Sequence, residues 1–230
     1  PEPALRDDVA LDLARAAVDR RGDVGHVRLR QDAADRGVRI IPEFDLPGHS
    51  LAILQAFPEL ASEQLNASDP RLNAKAALDP TSEATYRFVE RLLDEMTSLF
   101  PDQYFHIGGD EVTSLAWQGS PRIEQFKTQH NFHSNAELEA YFHTRVHAML
   151  QRRGRIMVGW EEVAQNDVPK DIVVEAWRTS NPVSTATAEG HRVIVSAGFY
   201  LDLLRPAVFH YGIEPLDPTA FTTMTQQAYE

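Results

Sequence analysis

The chain has 230 residues, no cysteine and a formal net charge of −12, which is long enough for one domain with a substantial core. The acidic balance argues against nucleic acid and anionic membranes as partners, and the lack of cysteine excludes disulfide scaffolds and thiolate metal or redox sites. No apolar run can span a bilayer, and Pro1 with its acidic neighbours offers no signal-like segment, so the chain is expected to be processed or part of a longer protein.

In chain order, Asp8–Arg20 has a helical pattern, Arg21–Gly25 is polar, and Leu29–Arg36 predicts a helix leading into the first strand. Five apolar, β-branched runs follow: Val38–Phe44, Tyr104–Ile107, Ile156–Val158, Ile172–Val174 and Val193–Val195. Each is short and apolar on both faces, as buried parallel strands are. Between them, Ser82–Phe100 places Tyr86, Val89, Leu92, Leu93 and Met96 at helical spacing. Asn135–Arg153 does the same with Leu138, Tyr141, Phe142, Val146, Met149 and Leu150, with Ser134 as N-cap and Gly154 as the stop. The alternation predicts an α/β fold with a parallel sheet and no linker that would divide it.

Residues able to do chemistry cluster just past the C-terminal end of every run. They are Asp45 and His49; Asp110 and Glu111; Trp160, Glu161 and Glu162; Glu175, Trp177 and Arg178; then Tyr200 and Asp202. Parallel α/β barrels build their active sites at that face, from strand ends and the loops that follow.

The sharpest motif is His106-Ile107-Gly108-Gly109-Asp110-Glu111. The glycines allow a sharp turn and close approach of a ligand. Adjacent Cα atoms lie only about 3.8 Å apart, so this acid pair acts from one side of a substrate. Glycosidases of the ordinary retaining or inverting kind place carboxyls across the sugar, about 5–5.5 or 6.5–9.5 Å apart. A neighbouring pair suits another division of labour, in which one carboxyl is the general acid and the other holds a part of the substrate that acts as nucleophile. Close carboxylates also repel, favouring a proton on one of them. Taken alone, an Asp-Glu pair after a strand more often caps the next helix. Trp160 and Trp177 alone suggest rim packing, Tyr200 a strand cap, and His49 a satisfied structural histidine as readily as a functional one. His143 and His147 stand four apart on a predicted helix without the Glu of a metalloprotease motif, and are expected on its solvated face. No Gly-x4-Gly-Lys or Rossmann fingerprint is present.

His106–Glu111 resembles the His-x-Gly-Gly-Asp-Glu signature of glycoside hydrolase family 20, the β-N-acetylhexosaminidases. Arg39–His49 is similar to that family's third-strand motif, and Gly159-Trp160-Glu161-Glu162 to its fifth. Glu175-Ala176-Trp177-Arg178 and Tyr200-Leu201-Asp202 are similar to its sixth and seventh, all in family order from about residue 28 to 218. The resemblance implies a (β/α)8 barrel and hydrolysis of terminal N-acetylhexosamine from oligosaccharides or glycoconjugates, without metal or cofactor. It further implies Glu111 as general acid and Asp110 as holder of the acetamido nitrogen. Tyr200 would bond the acetamido oxygen, Trp160 and Trp177 would wall the pocket, and Asp202 would bind sugar hydroxyls. His49 would tune Glu111, with His106 and Asp45 in support. Export from the cytoplasm is implied by the resemblance only.

A complete barrel takes about 250 residues, and only strands three to seven are legible. The first-strand Arg, the acidic partner of His49 and the last-strand Trp and Glu of the family find no match in Pro1–Val27 or before Glu230. The expectation is therefore one barrel domain over residues 1–230, incomplete at both ends, with residues 1–27 unassigned. Open sheet edges in such a piece predict self-association. The competing functional reading is a non-catalytic carbohydrate-binding or degenerate fragment, and a third is a metal-dependent barrel hydrolase.

Overall fold

The structure is a computed structural model that describes residues 24–164, 168–178, 180–200 and 206–213. Helix α1 (Val24–Ala34) precedes the first apolar run; α2 (Leu51–Ala56) and α3 (Leu72–Lys75) follow it. Then come α4 (Glu83–Leu99), β1 (Tyr104–His106), α5 (Pro121–His130), α6 (Asn135–Arg152), β2 (Ile156–Trp160), β3 (Val173–Ala176), α7 (Ser180–Ala188), β4 (Arg192–Val195) and α8 (Ala207–Tyr211). The four strands form one parallel sheet in chain order, β1-β2-β3-β4. The expected helix over Asp8–Arg20 lies outside the described residues.

The first run differs from expectation. Only one parallel bridge forms there, Glu43 opposite His106, made by His106 N–H to Pro42 O and Phe44 N–H to His106 O, both 3.0 Å. Pro42 has no N–H to give a ladder, and Val38 and Ile41 are exposed rather than buried. The run still lies beside β1, so the five runs line up in sequence order.

Strand side chains alternate between two faces. Phe105, Ile107, Met157 and Val174 face the helical layer and pack with Val89, Leu93 and Met96 of α4 and Phe142, Val146, Met149 and Leu150 of α6. Registers His106↔Val158, Val158↔Val173 and Trp160↔Glu175 put the alternate residues on the opposite face. Glu43, His106, Trp160 and Glu175 therefore share that inner face.

Caps set the long helices. Ser82 accepts from Ala84 N–H at the start of α4, and Ser134 with Glu137 forms a capping box at α6, as the sequence suggested for Ser134. The expectation for His143 and His147 fails: both are buried. Helix α6 is covered by both α4 and the sheet, and Gly109 has no side chain, which leaves room for His143 beneath it. His147 instead pairs with Asp171 at 2.9 Å. No helix among the described residues is long and apolar enough to cross a membrane.

Candidate active site

Two loops bring the acid pair and His49 together. The loop after residue 44 is pinned by Leu46 N–H to Ile107 O (2.8 Å), Leu78 N–H to Pro47 O (2.9 Å) and Ser50 N–H to Ala76 O (3.2 Å). At its tip His49 holds a left-handed backbone, φ 50°. The loop after β1 turns at Gly108, φ +68°, where an added Cβ would lie 2.5–2.9 Å from Asp45. Glu111 is also left-handed, φ 53°. No helix starts at the acid pair; the next one begins at Pro121, so the capping reading of Asp110 and Glu111 is overturned.

His49 Nε2 lies 3.3 Å from Asp110 and 3.6 Å from Glu111. Asp110 is largely buried while Glu111 and His49 open to solvent. Burial raises the Asp110 carboxyl above its ordinary range, and His49 opposes that shift. Among the described residues, His49, Asp110 and Glu111 form the group whose ligand atoms converge, within 4.8 Å of one another. Their closest contacts are those of an imidazole bridging two carboxyls, and two of the three are exposed.

Beneath the loop, buried His106 accepts the Gly108 N–H on Nδ1 at 3.1 Å. Burial pushes His106 down to about 4, so the ring is neutral with its proton on Nε2, 3.7 Å from Glu175. Glu175 also accepts a hydrogen bond from Ser196. Trp160 meets the His106 ring edge-on at 4.9 Å and donates its indole N–H to Glu43 at 2.9 Å.

The aromatic residues predicted from sequence do come together. Ring centroids lie 6.4 Å apart for Trp160–Trp177, 5.9 Å for Trp160–Tyr200 and 5.5 Å for Trp177–Tyr200. Glu161 accepts the Trp177 backbone N–H at 3.0 Å, and Glu162 accepts its indole N–H at 3.4 Å. Arg178 pairs with Glu161 and Glu162 and stacks on Trp177 at 4.6 Å. Asp45 lies against Gly108 and, with burial, raises the Glu43 carboxyl to about 7. Asp202 lies outside the described residues.

Sequence reasoning passed over Glu43, Trp117 and the burial of His143. Glu43 carried a signal: an acid within an apolar run, two residues from Asp45 and hence on the same face. Trp117 is buried and donates to Leu78 O at 2.9 Å, bracing the loop after Glu111.

Parallel strands in chain order, with acids, a histidine and an aromatic cluster at their C-terminal ends, define the active-site rim of an α/β barrel. The sequence matches the glycosyl hydrolase family 20 catalytic domain over residues 26–228, and the chain belongs to that family. It is 34% identical to a β-hexosaminidase of Vibrio furnissii, over 80% of this chain and 32% of the relative. It is 32% identical to the human β-hexosaminidase subunit beta, over 79% of this chain and 34% of the relative. Among solved structures it is similar to the Flavobacterium johnsoniae chitobiase, with TM-score 0.77 and 35% identity over 89% of this chain and 32% of that one. It is also similar to the Vibrio harveyi exo-β-N-acetylglucosaminidase in complex with N-acetylglucosamine, with TM-score 0.66 and 30% identity over 73% and 27%. The fold is thus part of a (β/α)8 barrel, and the chain spans about a third of the length of the curated relatives it matches.

Proposed function

We propose that this protein releases terminal non-reducing N-acetylhexosamine from oligosaccharides or glycoconjugates by a retaining, substrate-assisted route. The observation that carries the reading is the acid pair on one loop, Asp110 and Glu111 both within 3.6 Å of His49, beside the cluster of Trp160, Trp177 and Tyr200. Carboxyls on one side of a sugar cannot serve as acid and opposing nucleophile, so the nucleophile comes from the substrate. Glu111, open to solvent, gives its proton to the glycosidic oxygen as the bond from C1 to that oxygen breaks. The acetamido carbonyl oxygen bonds to C1 and forms an oxazolinium ion. Asp110 accepts the acetamido N–H, and its desolvated charge offsets the positive charge that develops on the ring. Tyr200 donates to the acetamido oxygen, and the two tryptophans wall the acetamido group. Water then attacks C1 as the bond from C1 to the acetamido oxygen breaks, which restores the acetamido group, and the water's proton passes to Glu111. Asp202 is assigned to the sugar hydroxyls by resemblance alone. The names of the relatives support the substrate class: the V. harveyi enzyme was solved with N-acetylglucosamine bound.

The test is Glu111→Gln in the full-length protein. It is expected to lose about 10²–10⁴-fold in turnover of a disaccharide, the usual span of general acid catalysis, and less with an activated aryl leaving group. An N-acetylglucosamine thiazoline should inhibit the parent and bind Asp110→Ala more weakly. Labelling of a protein carboxylate by a fluorosugar, with indifference to the thiazoline, would overturn the route. Absence of chromogenic N-acetylglucosaminide hydrolysis by this chain, with hydrolysis by the full-length protein, would assign the chain the role of a non-catalytic fragment.

A further inference from the structure

Glu43 stands where three segments of the site meet. Its Oε1 accepts the Trp160 indole N–H at 2.9 Å from β2 and lies 3.5 Å from His106 Nδ1 on β1. The carboxyl of Asp45, two residues on, acts on that of Glu43 and favours its protonated form. Asp45 in turn abuts Gly108 so closely that no side chain fits between them. Trp160 is thus linked through Glu43 and Asp45 to the backbone that carries the acid pair.

We infer that Glu43 is a positioning residue: it fixes the indole of Trp160 and ties it, through the segment that carries Asp45, to the loop bearing Asp110 and Glu111. The inference rests on the proposed role of Trp160 as a wall of the sugar pocket. Ionisation of Glu43 keeps the indole bond but sets two negative carboxyls against each other, with Asp110 adding to the repulsion. The groups facing Glu43 are Asp45 on its own segment, neutral His106 on β1, Asp110 on the loop after β1 and the Trp160 N–H on β2; Glu175 on β3 touches the network through His106. Burial and Asp45 raise Glu43 to about 7, so its carboxyl passes from neutral to charged across neutral pH.

The test uses the full-length protein labelled with ¹⁵N at its indoles, with Trp160→Phe identifying the resonance. Glu43→Gln keeps the indole bond, since its amide oxygen accepts from the indole, and it cannot ionise. That variant should leave the Trp160 resonance near the parent's position, whereas Glu43→Ala should move it. The KM of the parent for a chromogenic N-acetylglucosaminide should rise between about pH 6 and 8, and that of Glu43→Gln should lack this rise. Other groups titrating in the range act on both proteins, so the difference between the two profiles reports Glu43. Glu43→Ala should raise KM roughly tenfold at pH 6, the size of one lost hydrogen bond. An unmoved indole resonance in Glu43→Ala, or a parent-like pH profile in Glu43→Gln, would overturn the inference. Should Glu43→Ala fail to fold, Glu43→Gln and the pH titration of the parent's indole resonance still decide it. If the indole follows Glu43 while no N-acetylhexosaminide is hydrolysed, the positioning stands and the proposed function fails.

Discussion

Gly108→Ala is expected to destabilise the protein and misplace the acid pair. At φ +68° an alanine meets the steric cost of the left-handed backbone, about 1–2 kcal/mol. Its Cβ would also lie 2.6 Å from Asp45 Cα and 2.9 Å from Asp45 Cβ. A main-chain atom cannot rotate away, so two rim segments must separate, at roughly 1–3 kcal/mol for an overpacked interior. The sum, about 2–5 kcal/mol, is a large part of the ~5–15 kcal/mol that holds a typical domain. Gly154→Ala supplies the control: its φ of +65° is nearly the same, and nothing lies within 4 Å of the added Cβ. The difference between the two variants therefore isolates the contact with Asp45. Denaturant midpoints in the full-length protein, followed by tryptophan fluorescence, measure it. Gly108→Ala unfolding within ~0.5 kcal/mol of Gly154→Ala would show that Asp45 yields freely and refute the packing argument.

Burial lowers His143 to about 3, and neither ring nitrogen hydrogen-bonds another described residue. The neutral ring costs nothing above pH 6.5, but stability is lost as pH falls from 6.5 towards 3, because only the unfolded state takes the proton. His143→Leu should thus gain about 2 kcal/mol over the parent on going from pH 7 to pH 5; a pH-independent difference in Tm would refute this. If His49, Asp110 and Glu111 act as a hydrogen-bonded set, exhaustive dialysis against EDTA leaves hydrolysis unchanged; a loss restored by a divalent cation would assign them to a metal. N-acetylglucosamine should perturb tryptophan fluorescence in the parent and less in Trp177→Phe, and an equal response in both would remove Trp177 from the pocket. Val38, Ile41, Ile194 and Phe199 are exposed apolar residues of the first run, of β4 and of the turn after β4, so this chain alone should self-associate; a monodisperse monomer in light scattering would count against it.

Local signals carried most of the fold and the site. The runs leading to β1, β2 and β3 were legible because they are apolar and largely buried on both faces, β4 from its β-branched run although Ile194 is exposed, and α4 and α6 from their apolar stripes, with Ser134 as the cap of α6. The acid pair stood out because Gly108 and Gly109 precede it, and the aromatic trio because each member lies at or just past the end of a strand. The failures are tertiary. Val38 and Ile41 look like strand residues, yet Pro42 and the lack of a described neighbour leave them outside the ladder. His143 looks like a polar face residue, but the floor beneath Gly109 accepts an imidazole because a glycine sits above it. Glu43 looks like an interruption of an apolar run, and its meaning emerges only when His106 and Trp160 are brought across from other strands.

The separation between His49 and the acid pair is set by a segment that supplies no chemistry. His49 and Glu111 each hold a left-handed backbone without being glycine, a conformation that costs of order 1–3 kcal/mol per residue and persists only where the surroundings over-determine it. Residues 74–78 provide that determination for both loops at once. On one side Leu78 N–H binds Pro47 O and Ala76 O receives Ser50 N–H. On the other, Ala74 O receives the Thr113 hydroxyl at 2.6 Å and Leu78 O receives the Trp117 indole at 2.9 Å. Both loops are thus fastened to the same short stretch of main chain, and the 3.3 and 3.6 Å contacts between His49 and the carboxyls follow from bonds made several residues away. A change at Thr113 or Trp117 therefore reaches the acid pair through residues 74–78.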